Sequence, residues 1–154
     1  MQDAFPNLVL SDGRQSPSAA AVQRGACRLL RAHGFATVCE LALANGRRVD
    51  VMAVSATGSL WCIEIKSSIA DLKADHKWPE YEEFCDRLYF AIPPELPPEI
   101  MPEQAGLMVA DRWGGEILRH GEEHLLSSAR RKAVTLRLAR AAALKLHLLA
   151  DPNC

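Results

Sequence analysis

The sequence predicts an α+β domain, a mixed central sheet flanked by helices. Two observations carry that expectation. Strand-like runs with a period of two cluster at 37–44, 48–54 and 60–66, with helix-like runs before and after them. Three more strand runs, 87–92, 107–110 and 116–118, precede a last helical run at 123–149. The order therefore reads α-β-β-β-α-β-β-β-α.

Residues 1–17 are polar and proline-punctuated and are expected to form a loose arm, leaving 18–154 as a single domain. Ser18 is the expected cap of a helix over 18–33, with Ala21, Val22, Ala26, Leu29 and Leu30 as its apolar stripe and Gly34 as its stop. Asn45-Gly46, the strongest short hairpin signal, joins the first two strands, and Ala56-Thr57-Gly58-Ser59 joins the second to the third. Ser68-Ile69-Ala70-Asp71 has the form of a capping box. It opens a helix that Pro79 interrupts or restarts, the pattern then running through Tyr81 and Phe84 to Cys85. On 87–92, Leu88, Phe90 and Ile92 share one face, and the five prolines of 93–102 demand a loop. The final run is basic on one side, with Leu136, Leu144 and Leu148 on the other.

Composition narrows the class. At 49% hydrophobic and 24% charged residues, the chain reads as an ordinary soluble globular protein. It has no apolar run long enough for a membrane span and no signal-peptide start, and its five cysteines are widely spaced without a Cys-x-x-Cys. The expectation is a reduced, cytoplasmic domain without disulfides. Net charge is −1, but the charges are segregated: 1–48 and 124–154 are basic, and 49–123 is acidic. Basic flanks suit a polyanion held by its edges, with carboxylates binding a cation in the middle. The competing reading is a solvated basic helix beside an acidic surface.

The chemistry concentrates in one hairpin. A three-residue loop Ala56-Thr57-Gly58, with Gly58 left-handed, sets Ser55 opposite Ser59 and Asp50 opposite Glu64. A two-residue turn would shift the parity and part them. Opposed side chains have Cβ atoms about 4.5–5.5 Å apart, so two carboxylates and the Lys66 ammonium share one patch. Facing carboxylates need a cation or a raised pKa. Lys66 can neutralise one, and Mg²⁺ both, with water filling its octahedron. Such a patch suits metal-assisted phosphodiester hydrolysis, with Lys66 orienting the nucleophile or offsetting transition-state charge. The competing account is a cross-strand salt bridge on a solvated face.

Asp50, thirteen residues, then Glu64-Ile65-Lys66, placed after a hairpin and before a helix, resembles the PD-(D/E)XK nuclease superfamily with its restriction-endonuclease-like α-β-β-β-α-β core. More narrowly, "NGRRVDVMAV…IEIKSSIADLKADHKWPEY…CDRLYFAI…AGLMVAD" is similar to the MmcB-type DNA repair family of bacteria, and that likeness covers most of the chain. The resemblance implies a DNA repair protein with Asp50 and Glu64 binding Mg²⁺ or Mn²⁺. It also implies the Ile65 carbonyl as an added ligand and Lys66 as the catalytic lysine. Val49 stands where the superfamily name has proline. The helix over 18–33 offers no acidic residue, where many members have one, and Glu40 is the candidate to replace it. A fold that binds DNA or recruits a partner without cutting is the alternative. The likeness also makes a homodimer an open expectation.

Around the motif, Asp71 is most simply the capping residue of its helix. Asp75, Lys77, Trp78 and Tyr81 follow closely, and resemblance gives this helix a supporting role with Lys77 near a phosphate. Against that stands a Trp/Tyr pair packed on the sheet. Trp78 and Trp113 can stack on splayed bases, although a lone tryptophan is more often core. His120 and His124 are four apart, but Gly121 between them argues against a zinc site. Arg130, Arg131, Arg137 and Arg140 of the last helix can track a DNA backbone. No Gly-rich phosphate loop or dinucleotide fingerprint occurs, so no nucleotide cofactor is expected.

Overall fold

Two tight turns organise the first half of the chain. The computed structural model describes residues 15–153. Between β1 (Phe35–Ala42) and β2 (Arg48–Ser55), the Leu43 amide donates to the Arg47 carbonyl at 2.7 Å and Gly46 takes φ +84°. Between β2 and β3 (Leu60–Ile65), Ser55 N–H donates to Ser59 O at 3.0 Å and Gly58 N–H to Ser55 O at 3.1 Å. Gly58 has φ +91°, a conformation costly for any residue with a Cβ. This is the expected three-residue loop, and it fixes the register from Val54 opposite Leu60 to Val51 opposite Ile63.

The sheet has six strands in the order β1-β2-β3-β4-β5-β6, with β4 Arg87–Ile92, β5 Gly106–Asp111 and β6 Gly114–Arg119. The β3–β4 and β4–β5 pairs are parallel and the others antiparallel, so the sheet is mixed. Helix α1 (Pro17–Ala32) covers one face through Val22, Ala26, Leu29 and Leu30, packed with Val51, Ala53, Ile63, Tyr89, Ala91 and Met108. Helix α3 (Ser128–Ala150) covers the other through Val134, Leu138 and Ala141, against Val38, Leu41, Val49, Met52, Leu60 and Cys62. Phe90, Ile92 and Leu107 continue that second face beneath the proline-rich loop. Each fully buried side chain of this size contributes about 1.5–3 kcal/mol. No helix among the described residues is long and apolar enough to cross a membrane.

Several boundaries move. Ser16, not Ser18, caps α1: its Oγ accepts from the Ala19 amide at 3.1 Å, and Pro17 occupies the first turn, where its missing N–H costs nothing. The expected arm thus loses Ser16 and Pro17 to the helix start, and residues 1–14 of it lie outside the described residues. The helix opened by Ser68 is short, α2 (Ile69–Ala74). Asp75 then takes the Lys77 N–H at 2.8 Å, and the chain resumes as a 3₁₀ segment, Trp78–Phe84, with Pro79 in its first turn. The last helix begins at Ser128, not 123, because Ser127 caps it and the His124 and Leu126 amides donate to the Asp86 carbonyl and carboxylate, respectively. Leu136 is 58% exposed: the buried stripe of α3 is Val134, Leu138 and Ala141.

Gly25 marks where α1 presses on the sheet edge. A Cβ there would overlap the Asp111 carbonyl oxygen and crowd that of Gly114. Gly25→Ala is therefore expected to lower stability by about 1–3 kcal/mol despite alanine's better helix propensity, as read by urea denaturation.

Candidate functional site

The β2–β3 ladder closes at Val51 and Ile63, and the next pair in register is Asp50 with Glu64. Here side chains replace main-chain partners. Asp50 Oδ2 accepts from the Ile65 amide at 2.7 Å, and Glu64 Oε1 accepts from the Asp50 amide at 3.2 Å. Each carboxylate keeps a second oxygen. In a strand, a residue's N–H and C=O leave on the same side, so the Ile65 carbonyl also faces β2. Glu64 is 5% exposed. Burial raises the Asp50 pKa although the Ile65 amide and Lys66 oppose it. Burial, then the Asp50 carboxylate, push Glu64 well above the ordinary range. Two hard oxygen donors with such mutual repulsion favour a divalent cation, and Asp50, Glu64 and the Ile65 carbonyl fit one that completes its shell with water or phosphate oxygens.

Lys66 leaves the strand end on the same face. Its Nζ lies 2.6 Å from Asp75 Oδ2, both side chains being 11% exposed. Burial would raise the Asp75 pKa, but Lys66 and the Lys77 and Trp78 amides outweigh it and hold it below its usual value. The residue just past α2 is thus brought onto the lysine. Asp71 accepts from Ser67, at 3.0 Å from the hydroxyl, while Ser68 Oγ takes the Asp71 amide at 3.0 Å. Ser68 thus caps the helix as expected, while the Asp71 carboxylate returns to Ser67, one residue before the cap. Tyr81 is buried beside the acids, which with burial push its hydroxyl pKa upward, and its O–H donates to the Arg48 carbonyl at 3.3 Å. Trp78 is half-buried and packs edge-on to Phe90 with centroids 5.8 Å apart, at the margin of the core. Lys77 is exposed and does not share a face with buried Tyr81, because the segment that Lys77 caps is a 3₁₀ helix, in which residues three apart, not four, line up.

Glu40 is opposite Asp50, between the pairs Cys39–Val51 and Leu41–Val49. Its φ is +60°, and both strands change face across this point: Val38 and Leu41 enter one core, as do Val49 and Met52. The Glu40 carboxylate is 3.1 Å from Arg48. Among the described residues, no group of three His, Cys, Asp or Glu side chains assembles to hold a metal, so Glu40 does not complete the acidic pair.

The basic helix divides its arginines. Arg131 is taken by Asp86 in a two-pronged ion pair of 2.6 and 2.7 Å, and it also donates to the Gly58 carbonyl at 2.9 Å. Arg137 lies half-buried near the Ala42 carbonyl. Arg130 is half-buried, over the Phe84 ring at 4.9 Å and 3.8 Å from the Glu83 carboxylate, and Arg140 is exposed. Asp86, which the sequence reading missed, is 2% exposed. Its only sequence signal is a charged residue at the threshold of an otherwise apolar strand. Trp113 is 66% exposed at the β5–β6 turn, with Arg112 4.7 Å over its ring. His120 Nδ1 is hydrogen-bonded to the Tyr89 hydroxyl at 2.8 Å, away from any shared site with His124.

A family model described as "DNA repair protein MmcB-like" matches residues 6–153. Among solved structures, SPO1766, a protein of unknown function from Silicibacter pomeroyi, is similar at 44% sequence identity and a TM-score of 0.86. The match covers 90% of this chain and 94% of that one. Curated proteins provide no match.

Proposed function

The chain belongs to the MmcB-like DNA repair protein family, and from that premise we propose that it is a divalent-metal-dependent deoxyribonuclease of PD-(D/E)XK type. One observation carries the reading: half-buried Asp50 and buried Glu64 face each other, with the Lys66 ammonium on the same face. Bound by these two carboxylates and the Ile65 carbonyl, Mg²⁺ or Mn²⁺ would supply an activated water and neutralise phosphate charge. The chain's own residues do the rest. Asp50 and Glu64 are oriented by the amides they accept, which fixes their remaining oxygens. Lys66, steered by Asp75, offers its ammonium to a non-bridging phosphate oxygen as charge builds there. Arg130 and Arg140 extend a positive surface along α3.

A second reading has its own support. Lys66 is already paired with Asp75 and Glu40 with Arg48, which suits a fold that binds DNA without cutting it. The test is nicking of labelled branched, flapped and single-stranded DNAs with Mg²⁺, Mn²⁺ or chelator, for wild type, Asp50→Ala and Lys66→Ala. Metal-dependent cutting lost in both variants is the expected result. DNA binding without cutting, unchanged in both, would favour the second reading.

Asp75 acts on the reaction through Lys66 and is a positioning residue. Asp75→Asn is expected to slow single-turnover cleavage about tenfold to a hundredfold while leaving DNA affinity unchanged, the signature of a misplaced group. A fall in affinity with an unchanged cleavage step would assign Asp75 to DNA binding.

A further inference from the structure

Cys27 of α1 and Cys39 of β1 bring their sulfurs to 3.7 Å, in hydrogen-bond contact between two elements. Both are only partly buried, whereas Cys62 and Cys85 are sealed in the core. Cys27 also lines an open depression between α1 and the start of β1, whose wall carries Arg24, Arg28 and Arg31. A small oxidant can therefore reach this sulfur from solvent, and a second sulfur stands behind it. We propose that Cys27 and Cys39 form a hydroperoxide-reactive dithiol that closes to a disulfide tying α1 to β1.

The roles of the two sulfurs follow from their surroundings. The hydrogen bond from Cys39 lowers the Cys27 pKa to about 7, against burial, with Thr37 adding a further hydrogen bond. Cys27 is then about half thiolate at neutral pH, far more than an ordinary thiol, and is the attacking sulfur. It attacks one peroxide oxygen: the S–O bond forms, the O–O bond breaks, and the other oxygen leaves as hydroxide, which takes up the proton the Cys27 thiol released and becomes one water. Cys27 is now a sulfenic acid. The Cys39 sulfur attacks it, the S–S bond forms, and hydroxide leaves with the Cys39 proton as a second water. Two thiols and one hydrogen peroxide give one disulfide and two waters. Closing from 3.7 Å to the ~2.05 Å of a disulfide requires side-chain rotation and a small approach of α1 to β1.

The inference stands on the thiol geometry and is independent of the nuclease reading: a chain inactive on DNA would still show it. The experiment treats the full-length chain, carrying Cys154→Ser, with hydrogen peroxide near pH 7. Free thiols are then alkylated under denaturing conditions, and tryptic peptides are weighed. The expected product links peptide 25–28 to peptide 32–47, two hydrogens lighter than their sum, and dithiothreitol reverses it. Cys62 and Cys85 remain alkylatable. In Cys39→Ser, Cys27 accumulates as a dimedone-trappable sulfenic acid. In Cys27→Ser, peroxide consumption slows about tenfold, as expected when a thiolate is replaced by an ordinary thiol as the first nucleophile. Thiols that stay reduced in the wild-type chain, or that oxidise separately to sulfinic acids without the 27–39 link, would overturn the proposal.

Discussion

Glu64→Gln is expected to reduce metal-dependent cleavage about a thousandfold or more, while making the metal-free fold more stable. The two effects have one cause. Glu64 is buried opposite Asp50, and burial followed by that neighbouring carboxylate raises its pKa well above the usual 4.5. A carboxyl whose folded pKa exceeds its unfolded value contributes stability that is fully present below the unfolded value and is lost as pH rises through the folded one. Metal-free wild type should therefore weaken as pH rises above the ordinary carboxylate value of about 4.5, with Asp50 adding to the slope in the same direction. The amide in Glu64→Gln carries no charge to desolvate. The variant should lose much of that slope and gain about 1–3 kcal/mol at pH 8. It also surrenders the anionic ligand, and losing roughly 4 kcal/mol of transition-state stabilisation corresponds to the thousandfold drop. Thermal melts across pH, with and without Mn²⁺, check both halves. Wild type should gain melting temperature with Mn²⁺ and Glu64→Gln should not. A variant that keeps both the metal-induced shift and the cleavage rate would remove Glu64 from the site.

The hairpin that creates this pair was legible because its register depends on local chemistry. Gly58 supplies the left-handed residue of a three-residue loop, and counting back from Ser55 and forward from Ser59 reaches Asp50 and Glu64. The first turn was signalled by Gly46 in the same way. What the sequence hid depends on backbone strain or on distance along the chain. Nothing in a strand marks Glu40 for φ +60°, yet that residue makes both strands change face and leaves its own carboxylate with Arg48. The break after Ala74 was half legible, since Pro79 signals it, but the Asp75 turn that brings its carboxylate to Lys66 is tertiary. Arg131 has the same local appearance as Arg130 or Arg140. Only the fold reveals that a carboxylate forty-five residues away claims it.

That distant carboxylate carries the other large expected effect. Asp86→Ala is expected to destabilise the fold by about 3–5 kcal/mol, the range for removing one partner of a buried, hydrogen-bonded ion pair. Asp86 Oδ2 accepts from the Leu60 amide at 2.8 Å and Oδ1 from the Leu126 amide at 2.9 Å, while Arg131 grips both oxygens. One side chain thus anchors the start of β3, the segment before α3 and the first turn of α3. Burial alone would raise its pKa, but Arg131 and the two amides outweigh this and hold it below the usual 3.8. The sign is opposite to that of Glu64. This stability is present above the unfolded pKa and is lost as pH falls through the folded one, so the difference between wild type and Asp86→Ala should shrink in acid. Arg131→Lys keeps a charge but loses the two-pronged geometry, and should cost less, about 1–3 kcal/mol. Urea denaturation orders the variants, and DNA titrations separate anchoring from grip. An anchoring Arg131 leaves the salt dependence of binding unchanged in Arg131→Lys, whereas a phosphate-contacting Arg140 lowers the slope by about 0.9 in Arg140→Ala. If Asp86→Ala costs under about 1 kcal/mol, the buried carboxylate is not the link between β3 and α3, and Arg131 returns to the surface that meets DNA.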